Sequence, residues 1–129
     1  MVILMEDIAY IFYKKDYLIT LDTYYKDITF EEIKNLSYKY KNIMIENNIM
    51  FNKASVKKMK SRWGSCLVSK KNITINYNLA KYDKLCIEYV FCHEIAHIKY
   101  PNHQKSFHDF IYTYFKYEKE ARKILKKHY

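Results

Sequence analysis

The stretch "HEIAHIKYPNH", residues 93–103, decides how the rest of this chain is interpreted. It holds three of the five histidines of a 129-residue sequence, and a glutamate directly follows the first of them. In a helix, residues four apart lie one turn above each other, so His93 and His97 present two imidazoles on one side, close enough to bind the same zinc ion. Glu94 is turned about 100° round that helix. This position is beside the metal, where a general base for a zinc-bound water belongs.

A catalytic zinc needs a third protein ligand, and His103 is the candidate in the same stretch. In a continuous helix His103 would point roughly 240° away from His97. Pro101 predicts a helix break, because proline disfavours α geometry at Tyr100 and has no amide proton for the helical ladder. With this composition an HExxH pattern arises by chance in about one sequence in a hundred. We therefore expect a metal site rather than a surface helix with coincidental histidines.

The composition predicts one compact domain over residues 1–129. Half of the residues are hydrophobic, and one Gly and one Pro leave no room for a flexible linker. The start, "MVILMEDIAY", has only five apolar residues before Glu6 and Asp7, so it predicts neither a signal peptide nor a membrane span. The three cysteines do not form the close pairs of a zinc ribbon, and they fit reduced thiols in a cytoplasm.

The net charge of +9 gives weak support for a nucleic-acid partner. Of the 23 basic residues only Arg62 and Arg122 are arginine, the residue that bidentate phosphate and base recognition favours. A solvated lysine coat is the favoured interpretation.

The order of the predicted elements indicates an α+β fold. We expect a short, mainly antiparallel sheet packed on the active-site helix and on additional helices. The predicted elements are a hairpin over 8–21, a helix over 29–48 that opens with a Thr29–Glu32 capping box, strands within 54–66 and 71–79 joined by a loop holding Gly64, a helix over 82–100, and helices over about 104–115 and 117–128.

Two separate motifs carry a resemblance to a known family. "SRWGSC" (61–66) followed by "NITINYNL" (72–79), and then "YVFCHEIAHIKYPNHQKSF" (89–107), resemble the YgjP-like metallopeptidase domain. This domain is a small zincin related to the SprT and WLM proteases. The resemblance runs from about Lys57 to Phe110 and extends more loosely into the last helix, while the N-terminal part is shorter than that family has.

The resemblance implies that His93, His97 and His103 bind zinc and that Glu94 is the catalytic acid/base. His108 departs from the family, which commonly has tryptophan after the phenylalanine. A metzincin is rejected, because Tyr100 stands where that group needs glycine and no methionine follows His103. A third ligand of carboxylate type stays open, and it would come from Asp109, Glu118 or Glu120.

The predicted activity is zinc-dependent hydrolysis of peptide bonds in peptides or unfolded protein segments. Zinc lowers the pKa of its bound water to about 7, and Glu94 takes the proton as the water attacks. Two alternatives remain: a zinc-dependent nucleotide (phosphoanhydride) hydrolase, and a DNA-associated module with a structural zinc. The substrate, the oligomeric state and the oxyanion donor stay open, with Tyr100 and His108 as donor candidates that more readily serve in packing.

The "SRWGSC" segment is interpreted first as structural, with Trp63 as a core anchor and Gly64 at a position closed to other residues. The alternative is that Arg62 or Ser65 contacts the substrate. The segment "NITINYN" (72–78) either lies at the sheet edge and pairs with an extended peptide, or is an ordinary packed strand. Cys92 is expected to be a small buried apolar residue and not a ligand.

Overall fold

The computed structural model describes residues 20–127 of the chain. Helices and a small sheet alternate along these residues, and the predicted α+β class is confirmed. The elements are α1 (Leu21–Lys39), α2 (Lys41–Glu46), β1 (Lys53–Lys57), β2 (Gly64–Leu67), β3 (Asn72–Asn76), a 3-10 helix (Tyr77–Lys81), α3 (Lys84–Lys99), α4 (Lys105–Tyr114) and α5 (Glu118–Lys126).

The sheet has the strand order β1-β3-β2 and is mixed. β1 pairs with β3 in parallel, whereas β2 pairs with β3 in antiparallel orientation, so the predicted antiparallel pairing holds for one of the two ladders. β3 is the central strand, and its Ile73 and Ile75 are fully buried. The edge position considered for this segment is therefore wrong, and the packed-strand alternative is right.

The strand predicted within 54–66 is in fact two strands, because Asn76 holds the intervening residues in a loop. This buried side chain donates from Nδ2 to the carbonyls of Met59 and Arg62, at 2.9 and 2.8 Å. Its backbone N–H donates to the carbonyl of Trp63 at 2.9 Å. The residues whose carbonyls bond to Asn76 in this way do not pair in the sheet, and strand pairing resumes only at Gly64.

The first long helix begins earlier than predicted. Thr20 is its N-cap, since the hydroxyl accepts the N–H of Thr23 at 3.2 Å, and the helix then runs from Leu21. The predicted capping box at Thr29 lies inside α1, where Thr29 is buried on the same face as Ile33. The predicted hairpin over 8–21 cannot extend to residue 21, and its residues 8–19 lie outside the described part.

Helix α3 is the centre of the molecule. Asp83 caps it by accepting the N–H of Leu85 at 3.0 Å, and most of its following residues are buried on all sides. It packs against α1, β2, β3, α4 and α5, so every layer of the fold is fixed relative to this one helix. The three predicted C-terminal helices are confirmed within two residues at each end. Among residues 20–127 no helix is long and apolar enough to cross a membrane.

Candidate metal centre

Three histidines converge at the C-terminal end of α3. His93 and His97 lie one turn apart on α3, which ends at Lys99. Tyr100 has left helical geometry, with φ −124° and ψ 87°, directly before Pro101. The chain then turns back, and one potential ligand atom from each of His93, His97 and His103 lies within 4.8 Å of the others.

In two of these rings Nδ1 forms a hydrogen bond within the protein, so Nε2 is available to coordinate a metal. His97 Nδ1 lies 3.2 Å from the carbonyl oxygen of Tyr100, which can only accept, so Nδ1 carries the proton. His93 Nδ1 lies 3.3 Å from Glu94 Oε2 in the same way. The Nε2 atoms of His97 and His103 are 3.0 Å apart. Partners of this kind orient ligand histidines in metal sites.

The ring of Phe107 packs against all three rings of the histidine cluster. Its ring centroid lies 5.0 Å from that of His93, 4.6 Å from that of His97 and 5.0 Å from that of His103. The side chain is 1% exposed, so it supports the three histidine rings from the protein side.

The surroundings favour uncharged imidazoles. Burial, and after it the nearby His93, lowers the pKa of His97 below its ordinary value of 6.5. The pKa of His103 is lowered by the same two causes and by His97. A neutral imidazole is the form that binds a metal. Three imidazole nitrogens fit a divalent ion of the zinc type better than Mg²⁺ or Ca²⁺, which prefer oxygen.

Glu94 lies beside this group and is not a member of it. Its side chain is buried and the residue is 5% exposed. The glycine at the start of β2 makes this possible, because a Cβ at Gly64 would lie 2.7 Å from Val90 Cγ1 and 2.9 Å from Glu94 Oε2. The predicted need for glycine at this position is therefore explained by close approach, and its φ is not positive.

A cleft of about 280 Å³ opens beside His93 and Glu94. Arg62 and Trp63 line it from the loop before β2, and Tyr89 lines it from α3. Trp63 is half-buried and packs edge-on against Tyr82, with ring centroids 5.8 Å apart, so the predicted anchor role is also visible. Ser65 does not line this cleft, whereas Arg62 does.

The other polar residues considered from the sequence lie elsewhere or have structural contacts. Within residues 20–127 the only potential metal-ligand group is the histidine cluster, which none of Asp109, Glu118 and Glu120 joins. Tyr100 packs against Phe110, with ring centroids 6.1 Å apart, and its carbonyl oxygen lies 3.2 Å from His97 Nδ1. His108 is exposed. Cys92 is buried and free, and burial raises its pKa to about 12, as expected of a structural thiol.

The contacts of Phe107 and Tyr89 with the histidines were not predicted from the sequence. Tyr89 precedes His93 by one helical turn, and its ring stacks edge-on with that histidine at a centroid distance of 5.9 Å. The spacing of four residues from Tyr89 to His93 to His97 could have placed it on the site face of α3. Phe107 had no comparable signal, because its position depends on the turn that follows Pro101.

Two solved structures are similar to this fold. The chain is similar to the crystal structure of the metallopeptidase zymogen of Methanocaldococcus jannaschii jannalysin, with a TM-score of 0.57, 28% identity, and 74% of this chain and 95% of that chain covered. It is also similar to the metallopeptidase zymogen of Pyrococcus abyssi abylysin, with a TM-score of 0.62, 20% identity, and coverage of 74% and 94%. The class is that of small α+β metallopeptidase domains.

A family model identifies the chain more closely. The model of the YgjP-like metallopeptidase domain matches residues 15–128, and the chain belongs to this family. No curated protein matches it. Membership implies a metal ion and peptide or protein substrates.

Proposed function

We propose that this protein is a zinc-dependent peptidase in which His93, His97 and His103 hold the metal and Glu94 is the general base. The observation that carries the proposal is the meeting of three imidazoles within 4.8 Å beside a buried carboxylate. A structural zinc usually has four protein ligands and needs no base. Three ligands with an adjacent carboxylate are typical of a catalytic site.

Zinc suits this donor set, and when bound it lowers the pKa of a coordinated water to about 7. The protein contributes the orientation of the donors. Tyr100 fixes the proton of His97 on Nδ1, and Phe107 supports all three rings from below. Ligands held in this way lose little freedom when the metal binds, which favours tight binding.

Glu94 is suited to move protons at the same place. As a general base it accepts the proton of the attacking water, and as a general acid it delivers that proton to the nitrogen of the leaving amine. The close packing of Gly64 and Val90 limits the positions that its carboxylate can occupy. The base therefore stays within reach of a water in the cleft and needs no rearrangement before reaction.

The cleft and the strand beside it favour an extended peptide. Among residues 20–127, β2 has a strand neighbour on one side only, and its first residue, Gly64, lines the cleft. A peptide that pairs with the free edge of β2 forms main-chain hydrogen bonds independent of its sequence. Such binding needs an unfolded segment, because a folded substrate has already used these groups.

The test compares the intact chain with Glu94→Gln for metal content and for cleavage of a reduced, unfolded protein. We expect one zinc per chain in both proteins and cleavage only by the intact one. Glu46→Gln is the matched control, because Glu46 is exposed on α2 and the charge change is identical. Equal cleavage by the Glu94→Gln protein would reject Glu94 as the base, and absence of zinc from the intact protein would reject the metal site.

A further inference from the structure

A second cavity adjoins the cleft and shares three of its walls. It has a volume of about 590 Å³, and Trp63, Tyr89 and Leu125 line both spaces. The two cavities are therefore neighbours, one lined by Glu94 and the other by residues of α5. The second cavity is here called the α5 groove, and a substrate that extends beyond the cleft past Trp63 and Tyr89 would reach it.

Four cations line the α5 groove on its outer side. They occupy positions i, i+3, i+4 and i+7 of α5 and so share one helix face, on which all are exposed: Lys119, Arg122, Lys123 and Lys126. Arg122 lies 3.8 Å from Glu118, an ion pair within the helix. None of the three lysines forms an ion pair with another residue of the range 20–127.

The helix dipole does not account for this arrangement. Cations are favoured in the last turn of a helix and disfavoured in the first. Lys119 lies in the first turn of α5, yet it faces the same groove as Lys126 at the other end. An anionic ligand in the groove would favour a cation at all four positions.

The dimensions and the floor of the groove fit a peptide. From Lys119 to Lys126 the helix rises roughly 10 Å, which is the length of about three residues of an extended chain. Several separate carboxylates match a row of cations better than a single phosphate group does, and the three lysines lack the bidentate geometry of arginine. The aromatic rings of Trp63 and Tyr89 on the floor suit apolar side chains and aliphatic stems.

We propose that the α5 groove is a specificity subsite that binds the acidic side chains of an extended peptide substrate, on one side of the bond to be cleaved. The inference rests on the proposed peptidase function and names its substrate class: segments in which glutamate or aspartate stands near an apolar residue. Attraction by the cations also speeds the encounter with such segments.

Binding tests the subsite independently of catalysis. The full-length Glu94→Gln protein is titrated against two fluorescent peptides that share apolar residues and differ in three positions, glutamate in one and glutamine in the other. We expect the glutamate peptide to bind roughly tenfold more tightly, since each exposed lysine contributes modestly, and we expect added salt to remove most of this difference.

Two triple variants, each added to the Glu94→Gln protein, locate the effect. Lys119→Gln, Lys123→Gln and Lys126→Gln together should leave a preference of roughly twofold. Lys41→Gln, Lys53→Gln and Lys70→Gln together make the same charge change on exposed lysines outside the groove and should keep the full preference. Equal affinities for the two peptides, or the same loss in both triple variants, would overturn the subsite.

Cleavage of the same peptides by the intact chain separates this proposal from the peptidase function. Preferential binding without cleavage would retain the α5 groove as a binding site for acidic peptides and reject the peptidase activity. Cleavage of both peptides with equal binding would reject the subsite and retain the peptidase activity. A nucleoside triphosphate that displaces the glutamate peptide while itself binding more tightly would also overturn the subsite, because the groove would then serve phosphate groups.

Discussion

At the scale of single residues, Gly64 determines where Glu94 can lie. Any Cβ at this position would lie 2.9 Å from the Glu94 carboxylate and 2.7 Å from Val90. The side chains of Val90 and Glu94 have little room to move away, because both are buried on α3. The sequence alone pointed to Gly64 as a necessary glycine, but the reason could come only from the contact between β2 and α3.

Substituting Gly64→Ala should therefore impair catalysis more than metal binding. We expect kcat to fall by about a hundredfold, since displacement of a catalytic group by about 1 Å has an effect of that order, while the zinc content stays the same. The measurement is peptide hydrolysis together with metal analysis. Ser55→Ala on β1 is the control for a small change in the sheet, and an unaltered kcat in Gly64→Ala would show that Gly64 does not determine the position of Glu94.

The lowered pKa values of His97 and His103 predict how the metal-free protein responds to pH. In the folded protein the pKa values of both histidines lie below the ordinary value of 6.5. Below pH 6.5 the unfolded chain therefore binds more protons at these two histidines than the folded chain does. The contribution of these neutral histidines to the free energy of unfolding should be fully present above about pH 6.5. It should be lost as the pH falls from there toward the lowered pKa values.

Thermal unfolding of the metal-free protein over this range of pH measures the effect. His103→Gln should reduce the slope, because it removes one of the two shifted groups. A Tm that stays level as the pH falls below 6.5, or one that rises, would contradict the lowered pKa values.

At the scale of elements, the break after α3 is the feature that completes the site. Helical spacing was enough to predict how His93, His97 and Glu94 lie relative to one another, because all three belong to one helix. His103 required a turn, and only Pro101 indicated where it would fall. The boundaries of the last three helices followed from the same periodicity, and they agree with the structure.

Substituting Pro101→Ala should weaken metal binding while the fold persists. Alanine permits α3 to continue past Tyr100, and a continued helix turns His103 away from the other two ligands. We expect the zinc Kd to rise by about tenfold or more, which corresponds to about 1.4 kcal/mol. Competition with a chromophoric chelator measures the Kd, and an unchanged value would show that the turn does not depend on the proline.

The strands were harder to predict than the helices, for a physical reason. A strand is defined by its partner, and the partner of β1 is β3, which follows it by nineteen residues in the ladder from Lys53 to Asn72. The side chain of Asn76 separates β1 from β2 through bonds to distant carbonyls, which no local pattern reveals. The start of α1 was missed because Thr20 and Thr29 both precede helical patterns, and only tertiary burial distinguishes them.

At the scale of the whole molecule, the histidine cluster joins α3 to the turn before α4. A metal held by His93, His97 and His103 therefore links two elements and should stabilise the folded state. At a free zinc concentration a hundred times the Kd, the gain is about 2.7 kcal/mol. Removal of zinc by a chelator should lower the Tm, and its restoration should reverse the change.

The control for this effect is a chain that cannot bind the ion with all three ligands. In His103→Ala the chelator should lower the Tm by clearly less than in the intact protein. Equal losses in the two proteins would place the stabilising metal somewhere other than this cluster.

The proposed function requires that His93, His97 and His103 hold a catalytic zinc beside Glu94. Diffraction data collected at the zinc absorption edge from crystals of the purified protein test it most directly. We expect one anomalous peak at about 2.1 Å from a nitrogen of each of His93, His97 and His103, with no fourth protein ligand. A peak held by a carboxylate such as that of Glu118, or coordinated by four protein side chains, would contradict it.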